Sequence, residues 1–186
     1  MAVVLPALAT VDELAAWMQR EPDELPAGAA LVLDAASAIV RSEARQRFTR
    51  GTTTVALVPR GQVLSFPQRP VVSVELVRAG GRALRPDEYR VWRDELWFGS
   101  LGSGPVVVTY THGYATVPAD VRAIVLTLAG RVLNNPSDLR QESVGSVSVT
   151  YAAETIGASL APIERDQLAR YRSRAAVVQL DKGPPW

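Results

Sequence analysis

The residues from Val106 to Tyr151 constrain the fold more than any other stretch of the sequence. They begin with an apolar, β-type run at Val106–Tyr110, followed by a glycine-containing turn at 111–114. A proline-started stretch, Pro118 to Asn134, then carries the three-and-four spacing of a helix with one buried face. Alternating residues from Val144 to Tyr151 predict a further strand. This order is typical of a mixed α+β protein.

Two helices are predicted before residue 50. Thr10 and Glu13 have the spacing of a capping box, in which each side chain satisfies a free backbone amide, and this predicts a short helix over about 10–20. A longer helical pattern covers about 27–48. Its predicted buried face, spaced by three and four, consists of Leu31, Ala35, Ala38, Ile39 and Ser42. Small residues on this face indicate close packing against a neighbouring helix.

Between about 51 and 110 the hydrophobic period changes from helical to two. Thr53–Val58 and Val71–Arg78 are candidate strands, and the second is followed by Gly80-Gly81, a pair that supplies the positive φ angles of a tight hairpin. Tyr89–Trp92 and Leu96–Phe98 predict another hairpin. The sequence therefore predicts a small antiparallel β subdomain inserted between helices.

The C-terminal residues predict a last helix over about 160–171 and then an arm. The segment 171–186 mixes basic and apolar residues without periodicity and is too short to form its own core. Val177 to Leu180 have the composition to add a strand to another chain. The expected fold is α+β: a helical bundle with an inserted small antiparallel β subdomain in a single domain, 1–170, and an extended C-terminal docking arm, 171–186.

Charge and cysteine content exclude several classes of function. Twenty basic and nineteen acidic residues give a net charge of +1, so the field of the whole protein does not attract nucleic acid strongly. Without cysteine there is no disulfide, thiolate metal site or cysteine nucleophile. The longest apolar run lies between Arg122 and Arg131, far short of a bilayer span. We expect a soluble protein with no membrane partner and no export signal.

No catalytic, cofactor-binding or metal-binding residue is predicted. His112 is the only histidine and lies between a strand and a helix, where catalytic loops often occur, but no serine or cysteine motif accompanies it. A structural role is therefore the main expectation. A small hydrolase that uses His112 as its base is the alternative.

Three aromatic residues of the β insertion, Trp92, Trp97 and Phe98, have two interpretations. Aromatic side chains fill small cores, and tryptophan is also enriched at protein interfaces. The sequence does not separate these. A ligand-binding module that exposes Trp92 and Trp97 is a further alternative.

Several segments together resemble the tailed-phage head-to-tail adaptor (connector) proteins. Val107–Tyr114, then Val117–Val121 and an apolar helix, look like the core signature of that family. The likeness continues through Asn135-Pro136 and from Glu142 to Tyr151. Most of the chain fits in order.

This resemblance implies a non-enzymatic virion protein that forms a ring, expected to be dodecameric, beneath the portal at the capsid vertex. Its partners would be copies of itself, the portal, a tail-side stopper or tail-terminator protein, and DNA passing through the lumen without sequence specificity. Its location would be the head–tail junction, and the host cytoplasm during assembly. The portal-docking arm would use Arg172, Arg174, Val177, Val178, Leu180 and Trp186. Tail-side or inter-subunit contacts would use Trp92, Trp97, Phe98, Glu142 and Tyr151.

Overall fold

A computed structural model describes residues 5–99, 104–135, 141–144, 147–150, 159–173 and 177–178. The four α-helices are α1 (Val11–Trp17), α2 (Ala29–Ala44), α3 (Ala119–Asn134) and α4 (Pro162–Ala169). The strands are β1 (Gly51–Leu57), β2 (Val63–Ser65), β3 (Val71–Ala79), β4 (Arg82–Ala83), β5 (Tyr89–Trp92), β6 (Glu95–Phe98), β7 (Val106–His112), β8 (Gln141–Val144), β9 (Val147–Thr150) and β10 (Val177–Val178). All the strand pairs described are antiparallel, and the predicted α+β class is confirmed. Every helix in these ranges is too short or too polar to cross a membrane.

The chain divides into two compact units, each with its own packing. The first unit comprises residues 1–44 and 117–171 and holds the four helices, and the second comprises residues 45–116 and 172–186 and holds most of the strands. The chain passes from one unit to the other three times, after residues 44, 116 and 171.

Helix α1 of the first unit is stabilised at its start by the expected capping box. The Glu13 amide donates to Thr10 Oγ1 at 3.1 Å, and the Thr10 amide donates to Glu13 Oε2 at 2.9 Å. These two bonds satisfy donors that a seven-residue helix otherwise leaves free. Glu13 also pairs with Arg122 of α3 at 2.7 Å, which fixes α1 against the helix it packs on.

Helix α2 buries a different face from the predicted one. Its buried residues are Ala29, Leu33, Ala36, Ser37, Val40 and Ala44. The predicted face is wrong, since Leu31 is 74% exposed. The helix carries apolar and small residues of its own on several sides, so a three-and-four spacing of such residues can be traced along more than one face. The helix also ends before residue 48, because Arg45 adopts a left-handed backbone with φ +53°.

Helix α3 is the central helix of the first unit and follows Pro118, as predicted. It packs against α1 and α2. Its buried side chains include Val121, Val125 and Leu128. Near its end Arg131 pairs with Glu164 of α4, and both side chains are largely shielded from solvent, at 19% and 11% exposed. Glu164 also accepts from the Ala161 amide at 2.8 Å, so one carboxylate serves the helix start and the ion pair.

The second unit contains a five-stranded sheet in the order β10-β1-β7-β3-β4 and a three-stranded sheet in the order β2-β6-β5. Central strand β7 alternates strictly, with Val106, Val108, Tyr110 and His112 buried. The core formed with the smaller sheet consists of Leu57, Leu64, Phe66, Val77, Leu96, Phe98, Val106, Val108 and Tyr110. Strand β2, only three residues long, was not predicted.

Both predicted hairpins of the β insertion are present. Gly80 and Gly81 connect β3 to β4 with φ angles of +57° and +81°. Strands β5 and β6 pair as Tyr89↔Phe98 through Trp92↔Glu95, and Arg93 takes the positive φ in the turn.

The prediction of one continuous strand from Val144 to Tyr151 is wrong. Val144 pairs with Val147, so the chain reverses there and β8 and β9 form a hairpin. Glu142 lies in β8, and Tyr151 lies outside the described residues.

The start of the predicted C-terminal arm is held by its own subunit. Ser173 Oγ donates to the Phe66 carbonyl and Arg69 donates to the Arg172 carbonyl, each at 2.6 Å. Strand β10 pairs with β1 of the same chain, with Val177 opposite Leu57. The prediction that Val177 and Val178 add a strand to another chain is therefore wrong for these two residues. Arg174, Leu180 and Trp186 lie outside the described residues.

Candidate assembly surface

The outer face of the three-stranded sheet carries an aromatic surface. Because side chains alternate along a strand, Leu96 and Phe98 enter the core while Trp97 between them faces outward. Arg90 lies directly opposite Trp97 in the β5–β6 register, and Trp92 lies two residues further along β5. The pleat therefore places Arg90 next to both tryptophans on one face, and tryptophan and arginine are among the residue types most enriched in binding hot spots.

This face borders a groove of about 890 Å³. Its lining residues are Pro86, Asp87, Glu88, Tyr89, Arg90, Trp92, Trp97, Phe98 and Gly99. Trp92 is 51% exposed and Trp97 is 44% exposed. Two half-exposed indoles beside one groove give a large apolar contact area. A tryptophan side chain has few torsion angles, so little conformational entropy is lost when it becomes ordered on binding.

The carboxylates near the groove are already paired. Arg82 binds both carboxylate oxygens of Glu88, at 2.5 and 2.9 Å, and the Arg85 amide donates to Glu88 at 2.7 Å. These hydrogen bonds, with that from Arg82 the largest, lower the pKa of Glu88 to about 2. Arg93 stacks over Trp92 at 5.4 Å. The groove therefore presents aromatic surface beside a carboxylate, Glu88, that is already paired.

Three of the predicted contact residues belong to β5 and β6, and they separate into two groups. Trp92 and Trp97 are exposed on the groove, whereas Phe98 is 4% exposed and belongs to the core, so its assignment as a contact residue is wrong. The prediction missed Arg90. Its alternation with Trp92 on one strand was the available signal.

Further exposed apolar side chains lie on the first unit. Trp17, Leu31 and Ile163 are 51%, 74% and 64% exposed. A smaller cleft lies between α1 and α3, lined by Trp17, Met18, Arg20, Thr127, Gly130, Arg131 and Asn134. The described residues contain no group of three or more side chains able to hold a metal ion.

His112 is buried in the second unit and is only 1% exposed. Its Nε2 lies 2.8 Å from Thr53 Oγ1, and its ring packs on Tyr110 at 5.2 Å. Burial, and then the charge of Arg47, lower the pKa of His112 from 6.5 to about 4. This neutral, enclosed imidazole offers no access to a substrate, which argues against the hydrolase alternative.

We expect His112 to make stability depend on pH. Because the folded pKa lies below the unfolded one, the unfolded chain binds the proton first, and stability is lost as pH falls from 6.5 towards 4. The loss is about 3 kcal/mol by linkage. The variant His112→Gln keeps a polar partner for Thr53 and lacks this titration. Urea unfolding at pH 7.5, 6, 5 and 4.5 gives the free energy of unfolding of each protein as a function of pH. We expect the values of the two proteins to converge at low pH. A constant difference between them at all four pH values would contradict the assignment.

The fold is similar to that of chains from gene transfer agent (GTA) particles. One chain, from the neck of an empty GTA particle computed with C6 symmetry, aligns with a TM-score of 0.58 and 17% identity over 100% of this chain and 97% of that chain. A second, from the neck of a native GTA particle computed with C12 symmetry, gives 0.53 and 19% over 98% and 100%. A third, from the virion of the native particle, gives 0.57 and 19% over 99% and 97%. No protein-family model and no curated protein matches the sequence.

Proposed function

We propose that this chain is a structural subunit of the head–tail junction of a phage-like particle. The observation that carries the proposal is the near-complete, two-way structural alignment with neck chains: both units, the β insertion and the C-terminal helix are included, rather than one common motif. The short motifs at Val107–Tyr114 and Val117–Val121 resemble the same class of protein by sequence alone, which supports the proposal independently.

In this role the chain forms a ring, which we expect to contain twelve copies. Support comes from the neck structures with C6 and C12 symmetry, both of which are compatible with a twelve-membered ring. A ring needs a heterologous interface, in which one surface of each copy meets a different surface of the next. The exposed tryptophans of the groove and the exposed Leu31 of α2 are apolar surfaces of the kind that such an interface covers.

The ring joins the portal at the capsid vertex to the tail-side stopper or terminator protein, and DNA passes through its lumen. A net charge of +1 suits a channel that does not retain DNA, because phosphate affinity comes mainly from lysine and arginine contacts. The role is not enzymatic, and the burial of His112 supports this. Portal docking by residues 172–178 is not part of the proposal, since those described there are held by the second unit.

The groove favours a second candidate, a ligand-binding module that uses Trp92 and Trp97. Stacking on exposed indoles is a common way to bind sugars and other flat apolar surfaces. Titration with a panel of soluble glycans, followed by tryptophan fluorescence, separates the two: a saturable change supports the module, and a ring subunit should show none.

Electron microscopy of the purified protein, alone and mixed with its cognate portal, tests the proposed function. We expect rings of twelve copies, stacked coaxially on the portal when it is present. Mass photometry of the same samples gives the copy number independently, and a capsid protein in place of the portal is the control. A protein that stays monomeric in both samples and leaves the portal unoccupied would remove the proposal.

A further inference from the structure

Gln46 and Gln68 connect two segments of the second unit by reciprocal hydrogen bonds. The Gln46 side chain donates to the Pro67 carbonyl at 2.8 Å and accepts from the Arg69 amide at 2.9 Å. The Gln68 side chain accepts from the Arg47 amide at 2.7 Å and donates to the carbonyl two residues earlier at 3.3 Å. Each side chain satisfies one backbone donor and one backbone acceptor of the other segment, so the two segments lie in direct contact.

These bonds gather a cluster of arginines. The Arg69 guanidinium also donates to the Arg172 carbonyl at 2.6 Å, which adds a third segment. The three segments, residues 45–50, 66–70 and 172–173, contain no acidic residue. Their basic residues, here called the arginine cluster, are Arg45, Arg47, Arg50, Arg69 and Arg172. Arg45, Arg50 and Arg172 are exposed, and the side chains of the first two form no ion pair with any residue that the structure describes.

The charges around the arginine cluster are not enough to neutralise it. Glu43 lies two residues before it in the chain, at the end of α2. Asp94 and Glu95 lie beside it, and the Asp94 carboxylate accepts from the Val71 amide at 2.8 Å. Arg93 adds one more cation next to Asp94. Three carboxylates therefore stand against six arginines, and the net positive charge of this surface favours an anionic partner.

The first unit carries the opposite charge in one exposed turn. Residues 21–24, here called the acidic turn, are the densest acidic stretch of the sequence, with three carboxylates in four positions. The turn is a single 3-10 turn whose shape is fixed by a bond of 3.0 Å from the Glu21 amide to the Glu24 carboxylate. All four residues are exposed, and within the described ranges none of the three carboxylates pairs with a cation. Arg20, just before the turn, offsets only one of the three charges.

We propose that the acidic turn of one copy docks on the arginine cluster of a second copy, an inference that rests on the proposed ring. In a ring, one surface of each copy meets a different surface of the next, and each copy carries one acidic turn and one arginine cluster. Arg45 and Arg50 make the direct contacts with the carboxylates of the next copy, and the other arginines add to the attractive field. Contacts of this kind set the orientation and the rate of association more than the affinity.

Charge complementarity favours a second copy over duplex DNA as the occupant. DNA phosphates also bind exposed arginines. They would leave the three carboxylates of the acidic turn without a partner, whereas one contact between copies accounts for both surfaces. Because salt screens exposed charges, we expect self-association to weaken as the ionic strength rises.

Charge reversal in the full-length chain tests the contact. The cluster variant is Arg45→Glu/Arg50→Glu, and the turn variant is Glu21→Arg/Asp23→Arg, which keeps the Glu24 carboxylate that binds the Glu21 amide. Each variant pairs like charges at the direct contacts, so self-association at low salt, measured by sedimentation velocity, should weaken roughly tenfold or more. An equal mixture of the two variants should restore association, because every contact between unlike copies again joins opposite charges. Restoration by mixing also shows that the contact joins two copies instead of two parts of one chain.

The matched control is Arg60→Glu/Arg78→Glu, which changes the net charge equally at two exposed arginines of the same unit outside the cluster. It should leave association unchanged, and circular dichroism checks that each variant folds. An equal loss in this control, a mixture that stays dissociated, or a wild-type chain that does not self-associate would overturn the contact. So would binding of a labelled DNA duplex that only the cluster variant loses while its self-association is intact, since that result assigns the cluster to DNA.

The contact and the proposed function fail in different ways. Rings that form unchanged from the cluster variant would overturn the contact and leave the proposed function standing. Association that is restored by mixing, but never gives rings alone or on the portal, would support the contact and remove the ring.

Discussion

Replacing Gly113 with alanine should destabilise the protein more than any other small substitution in the second unit. A Cβ at this position would lie 2.2 Å from the Thr49 carbonyl oxygen and 2.6 Å from its carbon. Gly113 also has a φ of +93°, which side-chain-bearing residues rarely adopt. Both contacts are with backbone atoms that cannot rotate away. We expect a loss of about 4 kcal/mol or more in the free energy of unfolding, measured by urea denaturation.

The same region shows why the clash cannot relax cheaply. The Gly113 amide donates to the Pro70 carbonyl at 2.9 Å, and Thr49 and Tyr114 form a parallel bridge. Moving the segment at Gly113 away from Thr49 would break these contacts. Gly51→Ala is the matched control, because its Cβ would meet nothing within 4 Å. Equal stability of the two variants would show that the backbone at Thr49 yields.

Replacing Glu164 with alanine should be the most damaging change in the first unit outside its apolar core. Removal of the carboxylate leaves Arg131 shielded without its ion-pair partner and frees the Ala161 amide at the start of α4. Breaking a buried ion pair from one side costs about 3 to 5 kcal/mol, and we expect the lower end because Arg131 keeps 19% of its side chain exposed. Equilibrium unfolding in urea measures the loss.

Two further variants decide whether charge is the cause. Asp87→Ala removes one side of the Arg85–Asp87 pair, whose side chains are 75% and 70% exposed, and should change stability by less than about 0.5 kcal/mol. The double change Arg131→Met/Glu164→Leu should recover much of the loss, because apolar residues of similar size can replace a buried pair. A double variant as unstable as Glu164→Ala would assign the effect to the lost cap instead.

Sequence patterns predicted the elements whose signals are local. Pro118 begins the stretch that contains α3, and the two glycines at 80 and 81 turn β3 into β4. A capping pair three residues apart identifies α1. In each case the residues that specify the element are neighbours in the chain, so a window of a few residues is enough to predict it.

The sequence did not predict features that depend on distant partners. The buried face of α2 is decided by the helices it packs against, and its own residues fit more than one choice. The pairing of Val177 with Leu57 joins positions more than a hundred residues apart. The need for glycine at 113 comes from Thr49, on a different part of the chain.

The candidate site was predicted only in part. The sequence groups Trp92 and Trp97 with Phe98, and only the alternation of β6 places Phe98 on the opposite face. Arg90 becomes relevant when the register sets it against Trp97. Which side chains share one face of the sheet depends on the strand pairing, and residue types alone do not determine it.

The arrangement of the two units along the chain sets an order of events during synthesis. The first unit is built from residues 1–44 and 117–171, whereas strands β1 to β7 of the second unit lie together in one continuous stretch. On the ribosome, α2 is made early but cannot complete its packing until α3 has emerged, some seventy residues later. In that interval strands β1 to β7 can already pair, whereas β10 joins the larger sheet only after α3 has been made, and the apolar face of α2 must be kept from other nascent chains.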